Sequence, residues 1–171
     1  MPIHTLEITN VRNLQRAKLQ CSLQSNLIIG PNGSGKTSLL ESITILSQGK
    51  SFRNSQKKSI ISEGNNNLTI AALLDDEFCN QSIQGIRVGI SKFANGKTLA
   101  KIASEKVQRI SEITSLLPVC VIEPNSTEIV EGSPALRRQV LDWGVFHVEH
   151  DFVKHWRLFS SALKQRNALL K

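Results

Sequence analysis

The residues with the plainest chemical purpose are Gly30, Pro31, Asn32, Gly33, Ser34, Gly35, Lys36 and Thr37, which satisfy G-x-x-x-x-G-K-[ST] in full. Glycines let a backbone double back so that successive N–H groups point into one cavity and bind phosphate oxygens there. A helix opening at Lys36 would aim the positive end of its dipole at the same place. In that arrangement Lys36 reaches the β- and γ-phosphates of ATP or GTP, the Thr37 hydroxyl ligates Mg²⁺, and Ser38 reaches the α-phosphate. The chemistry expected is nucleotide binding. Hydrolysis asks for more, namely a second carboxylate on the metal and a group that orients the attacking water. Asp75, Asp76 and Glu77, at the end of the apolar run 70–74, are candidates for a self-contained P-loop kinase or hydrolase. That run alternates as a half-exposed strand does, however, so a solvated hairpin end is the reading its pattern supports.

A phosphate loop works only between a buried strand and a helix, and the flanking sequence is read that way. Residues 26–29 (Asn-Leu-Ile-Ile) form a short apolar run stopped by Gly30 and read as a buried strand. From Lys36, the residues Leu39, Leu40, Ile43 and Leu46 recur at helical spacing until Gly49 ends the helix. Ahead of the loop, Ile3, Leu6, Ile8 and Val11 suggest an opening strand, and Ala17, Leu19 and Cys21 a second. Behind it, residues 51–67 are polar and basic with a short element at Ile60 and Ile61. Leu68 to Leu74 and Ile86 to Ile90 then alternate as strands, and Ala94, Asn95, Gly96 and Lys97 supply a turn. Val107, Ile110, Ile113 and Leu117 predict a short helix stopped by Pro118, and residues 119–122 a buried strand. Ser133 and Pro134 open a helix by capping chemistry. A last helix from about Asp151 carries Trp156, Phe159, Leu163 and Leu170 on a heptad-like seam. It meets no stop signal before Lys171, so the sequence is expected to be a piece of a longer chain.

The 171 residues carry a formal charge of +7, with 40% hydrophobic and 20% charged residues, which fits a folded domain rather than disorder. Arg12, Arg16, Lys18, Lys36, Lys50, Arg53, Lys57 and Lys58 are opposed only by Glu7 and Glu41 before Ser59. Such a surplus suits a polyanionic partner, although a merely solvated basic surface has the same composition. No apolar run approaches the ~20 residues that span a bilayer. Cys21, Cys79 and Cys120 are odd in number and widely spaced, as reduced thiols of a cytosolic protein are. His147, Glu149, His150, Asp151 and His155 crowd one stretch but straddle a helix break, so a solvated turn is expected rather than a metal site. Arg137 and Arg138 precede Asp142 and Trp143, and Arg138 and Asp142 have the spacing of a surface ion pair. Contact of the two arginines with DNA or another subunit is the alternative.

These strings together resemble the N-terminal half of the RecF family, of the ABC/SMC-like ATPase class. The residues that carry the resemblance are residues 11–14 (VRNL), the P-loop and its continuation to Ile43, and residues 49–53 (GKSFR). To these are added Leu117-Pro118, Pro124, Gly132-Ser133-Pro134, Arg137-Arg138, residues 141–143 (LDW) and residues 163–167 (LKQRN). The resemblance implies an α/β P-loop NTPase of the ABC/SMC-like head type, with an antiparallel β subdomain and the start of a helical arm. Residues 1–132 would belong to the head and 133–171 to the arm. It implies ATP and Mg²⁺ as cofactors, DNA as partner, and an ATP-dependent homodimer with nucleotide between two heads. It further implies cytoplasmic work with RecO and RecR, loading RecA at gapped DNA, in repair, recombination, replication and the SOS response. Arg12 and Asn13 would lie near the adenine. The family's signature string and its metal- and water-orienting acids belong to a C-terminal half absent from this sequence, so little hydrolysis is expected of it alone. Cys120 stands where some relatives carry the Q-loop glutamine. A head lacking that half would expose apolar surface at residues 27–29 and along residues 152–170. From another class, a non-catalytic DNA-binding or dimerisation module whose P-loop only changes shape is the rival.

Overall fold

A computed structural model describes residues 1–53, 60–75, 85–123, 133–149 and 151–170. It divides into two compact units, Met1–Val121 and Ile122–Lys171.

The first unit is built on one six-stranded sheet. Its strands are β1 (Ile3–Val11), β2 (Leu14–Gln20), β3 (Asn67–Leu74), β4 (Ile86–Phe93), β5 (Thr98–Ile102) and β6 (Glu105–Val107), in the order β2-β1-β3-β4-β5-β6. Every neighbouring pair is antiparallel. The alternation read in the sequence becomes burial here: along β3, Leu68, Ile70, Ala72 and Leu74 are buried and the residues between them are not. Leu6, Ile8, Val88 and Ile90 join them on the same face. Val11 also bridges Ile61, the short element expected within residues 51–67. Val107, read as helical, lies instead in β6, paired with Ala100, and the following helix α2 covers Ile110–Leu116. A three-residue edge strand is too short for its alternation to be heard against a neighbouring helical pattern.

Helix α1 (Lys36–Gln48) packs on this apolar face with α2 beside it. Of the residues read at helical spacing, Leu46 is buried and Leu39 and Ile43 pack against the core, while Leu40 is 48% exposed; Ser38, Glu41, Ser42 and Ile45 are buried beside them. The buried hydroxyls are satisfied, Ser42 Oγ donating back along the helix to Ser38 O (2.7 Å) and Ser47 Oγ across to Leu117 O beyond α2 (2.6 Å). Gly49 ends the helix at φ +71°, where its N–H donates to Ile45 O. A β-carbon there would also run into Ile110, so the glycine is demanded twice.

Two expected strands are absent. Residues 26–29 have no ladder partner among the described residues, and Leu27 and Ile29 are 86% and 82% exposed. Residues 119–122 likewise form no strand, and Ile122 is 88% exposed. Apolar content makes a run suitable for a sheet interior, but a strand exists only when neighbours take up its N–H and C=O groups. The exposure anticipated at residues 27–29 is therefore observed.

The second unit contains α3 (Pro134–Val148) and α4 (Phe152–Leu169), neither with a buried residue. Pro134 sits at the start of α3 as expected, but the Ser133 side chain makes no capping hydrogen bond. Trp156 Nε1 donates to Asp142 Oδ2 across the pair at 3.3 Å. Asp142 forms no ion pair with Arg138; the indole takes its place. Trp156, Phe159 and Leu170 of the seam are 47%, 65% and 76% exposed, as anticipated. No described helix is long and apolar enough to cross a membrane.

Candidate functional site

The loop from Gly30 to Thr37 takes its shape from two left-handed glycines, Gly33 at φ +82° and Gly35 at φ +99°. Between them Ser34 N donates to Pro31 O at 3.3 Å, closing a turn. Gly35 then serves as N-cap of α1. A β-carbon at Gly35 would lie 2.7 Å from Leu14 Cδ2 and 3.3 Å from Asn13 Nδ2, so both conformation and space select glycine.

Helix α1 begins with neither a side-chain cap nor an acidic residue in its first turn. Its leading N–H groups and the positive end of its dipole are thus left to an anion. Lys36 adds a full charge: its Nζ donates to Gly30 O at 2.7 Å and Pro31 O at 2.8 Å. An ammonium carries three donors, so one remains for an outside oxygen. Thr37 is exposed on the first turn.

What holds this loop against the sheet is the turn between β1 and β2. Asn13 Nδ2 donates to Gly33 O at 2.7 Å, and Ser38 Oγ donates to Asn13 Oδ1 at 2.9 Å. Ser38 is 6% exposed and spends its hydroxyl on Asn13, so the α-phosphate contact expected of it is not prepared in this geometry. Arg12, itself left-handed at φ +54°, grips Glu41 of α1 through Nε to Oε2 (3.1 Å) and Nη2 to Oε1 (2.9 Å). Ser51 Oγ donates to the same Oε1. Burial by itself would raise the Glu41 carboxyl, but the bonds from Arg12 and Ser51 and the nearby positive charge outweigh it and hold it below the ordinary carboxylate range. The Arg12 backbone is fixed as well, its N–H donating to Ile60 O and its carbonyl accepting from Ser62 Oγ (2.7 Å).

The eight residues expected to form the phosphate site are therefore contiguous, positioned and braced. Asp75 is not among them. Its N–H donates to Pro2 O at the far end of β1 from the Arg12–Asn13 turn. One nine-residue strand separates the two ends, roughly 27 Å at strand rise. Asp75 cannot share a metal with Thr37, and Asp76 and Glu77 lie outside the described residues. Among the described residues no group of three His, Cys, Asp or Glu side chains could hold a metal; His150 of the 147–155 stretch lies outside them. Cys21 and Cys120 are free thiols, and Cys79 and Pro124 fall outside the described residues. Reading the sequence by its residues gave Glu41 no role. The available signal was its place on the inward face of α1, since a buried carboxylate demands a cation or several donors.

Comparison with known proteins places this geometry. A family profile described as the RecF/RecN/SMC N terminal domain matches residues 2–134. The chain is 42% identical over 173 residues to the DNA replication and repair protein RecF of Marinomonas sp. (strain MWYL1), covering 100% of this chain and 45% of that protein. It is 41% identical over 170 residues to the protein of the same name from Idiomarina loihiensis, covering 99% and 46%. The chain thus spans about half the length of the curated relatives it matches. Among solved structures it is similar to the recombination mediator protein RecF bound to ATP, described within the RecFOR pathway. That match has a TM-score of 0.82 at 26% identity, over 99% of this chain and 44% of the other. An SMC ATPase studied for ATP-driven dimerization and DNA-stimulated activation matches at TM-score 0.67 and 19% identity, over 84% and 99%, which shows a shared fold.

Proposed function

The chain belongs to the RecF/RecN/SMC N-terminal domain family, and on that premise we propose that it is the phosphate-gripping portion of a RecF-type, ATP-dependent DNA-binding recombination mediator. The observation that carries this reading is the convergence of three features on one loop. They are the left-handed Gly33 and Gly35, the acid-free N-terminus of α1, and the Lys36 ammonium. In this reading the loop N–H groups and Lys36 hold the phosphates of ATP, and the Thr37 hydroxyl holds Mg²⁺. Bound Mg²⁺ supplies charge neutralisation between the β- and γ-phosphates. The chain's own contribution in this reading is to bind and orient the nucleotide.

The wider role follows from the relatives. Those proteins are named for DNA replication and repair, and a similar solved protein is a recombination mediator seen with ATP. This supports residues 1–132 as head and 133–171 as the opening of an arm. It also supports ATP-dependent pairing of two heads, contact with DNA at single-strand/double-strand junctions, and RecA loading with RecO and RecR in the cytoplasm during the SOS response. The charge of +7 fits a DNA partner. The test is DNA affinity measured with and without Mg·ATP at two salt concentrations. Affinity that rises with ATP at both salts is expected. A steep salt slope with no effect of ATP would overturn the reading in favour of an inert basic module.

A further inference from the structure

Among the described residues Glu41 is the charged side chain with no exposure to solvent, and phosphate chemistry has no direct use for it. A carboxylate on the inward face of a helix is costly unless every lone pair is met, and an apolar pair of similar volume often serves stability as well. What an apolar pair cannot do is fix a direction. Here the carboxylate accepts two guanidinium bonds from Arg12 and one from the Ser51 hydroxyl. Arg12 occupies a left-handed turn, a conformation that a non-glycine residue adopts only when its surroundings hold it. The next residue, Asn13, delivers that hold to the loop through Gly33 O and Ser38 Oγ. The path thus runs from the carboxylate to the guanidinium, through one peptide unit to an amide, and on to the carbonyl of the left-handed glycine.

We propose that Glu41 is a positioning residue for the phosphate loop, acting through Arg12 and Asn13 and tying the segment at Ser51 to the same joint. The inference rests on the nucleotide-binding reading above and deepens it: Glu41 touches no nucleotide but sets the geometry that receives one. Ser51 Oγ also accepts from Arg53 N at 2.9 Å. The segment after α1 is therefore anchored to the carboxylate that braces the segment before it, and a displacement of either is felt at Gly33.

The test is a double-mutant cycle read as Mg·ATP affinity on the full chain. Glu41→Gln keeps the shape and removes the charge. It is expected to weaken ATP binding on the order of tenfold, as loss of a charge-assisted bond does. Asn13→Ala cuts the link while leaving Arg12 and Glu41 paired. If Glu41 acts through Asn13, Glu41→Gln adds less than about twofold in the Asn13→Ala background, because neighbours on one path are not additive. Full additivity would show that Glu41 serves only general stability and would overturn the proposal, as would wild-type affinity in Glu41→Gln. Should Glu41→Gln fail to fold, Ser51→Ala, which removes one bond to the same carboxylate, takes its place with an expected loss of roughly threefold and the same non-additivity. Absence of ATP binding in the unmutated chain would instead sink the nucleotide-binding reading itself.

Discussion

Replacing Gly35 by alanine tests the loop where its geometry is most constrained. At φ +99° a β-carbon meets its own backbone, which costs about 1–2 kcal/mol. The same β-carbon would stand 2.7 Å from Leu14 Cδ2, well inside the ~3.5–4.0 Å of ordinary carbon contact. Leu14 packs against the core, so turning it off its rotamer adds about 0.5–1.5 kcal/mol. The sum is about 1.5–3.5 kcal/mol, to be met in one of two ways. If the loop keeps its shape, thermal unfolding followed by circular dichroism falls by roughly 3–14 °C, at about 2–4 °C per kcal/mol. If the loop moves instead, Asn13 loses Gly33 O and Mg·ATP affinity falls by roughly 10- to 300-fold, at about 1.4 kcal/mol per decade. Gly33→Ala is the internal control, since its β-carbon meets nothing within 4 Å and only the backbone term applies. Gly35→Ala must therefore be the worse of the two. Unchanged unfolding and unchanged affinity in Gly35→Ala, or a larger effect in Gly33→Ala, would refute the reasoning.

Acid should weaken the fold through Glu41. Its folded-state carboxyl lies below the ordinary range, so its contribution is complete above about pH 4.3 and is lost as pH falls from there through the folded value. Urea unfolding between pH 6 and pH 3 should show this loss in the natural chain and less of it in Glu41→Gln; equal slopes would contradict it. Glu7, half-buried and paired with the exposed Lys18 and Arg87, should add little to the same profile, which Glu7→Gln would check. Ile70→Ala, in the middle of the buried face, should cost about 2–5 kcal/mol of unfolding free energy. Leu27→Ser, at a position 86% exposed, should stay within about 0.5 kcal/mol in the same assay.

The parts legible in the sequence were those fixed by local chemistry. The phosphate loop was readable because its glycines and Lys36 are required residue by residue, and the end of α1 because Gly49 adopts the left-handed cap expected of it. The antiparallel strands were readable because one face of β1, β3 and β4 is buried and alternation survives as pattern. Where partners decide the outcome, the sequence misled. Residues 26–29 and 119–122 have the composition of interior strands but no neighbours to pair with among the described residues. The brace itself was hidden for a related reason. Arg12 and Glu41 are 29 positions apart, and nothing local to either announces that a turn and a helix will bring them together. Arg12 and Asn13 were flagged only by resemblance, as neighbours of the adenine, while the geometry shows them bonded to Glu41, Gly33 and Ser38.

The claim on which the rest depends is that residues 30–37 grip nucleotide phosphates, and equilibrium titration of Mg·ATP into the natural chain and into Lys36→Met addresses it most directly. Among the described residues Lys36 bonds to exposed loop carbonyls alone, so its removal should leave the unfolding temperature nearly unchanged. The account predicts saturable binding to the natural chain and binding at least ~30-fold weaker in Lys36→Met, the loss expected for one charge-assisted contact to phosphate. Equal affinity in the two proteins would contradict it.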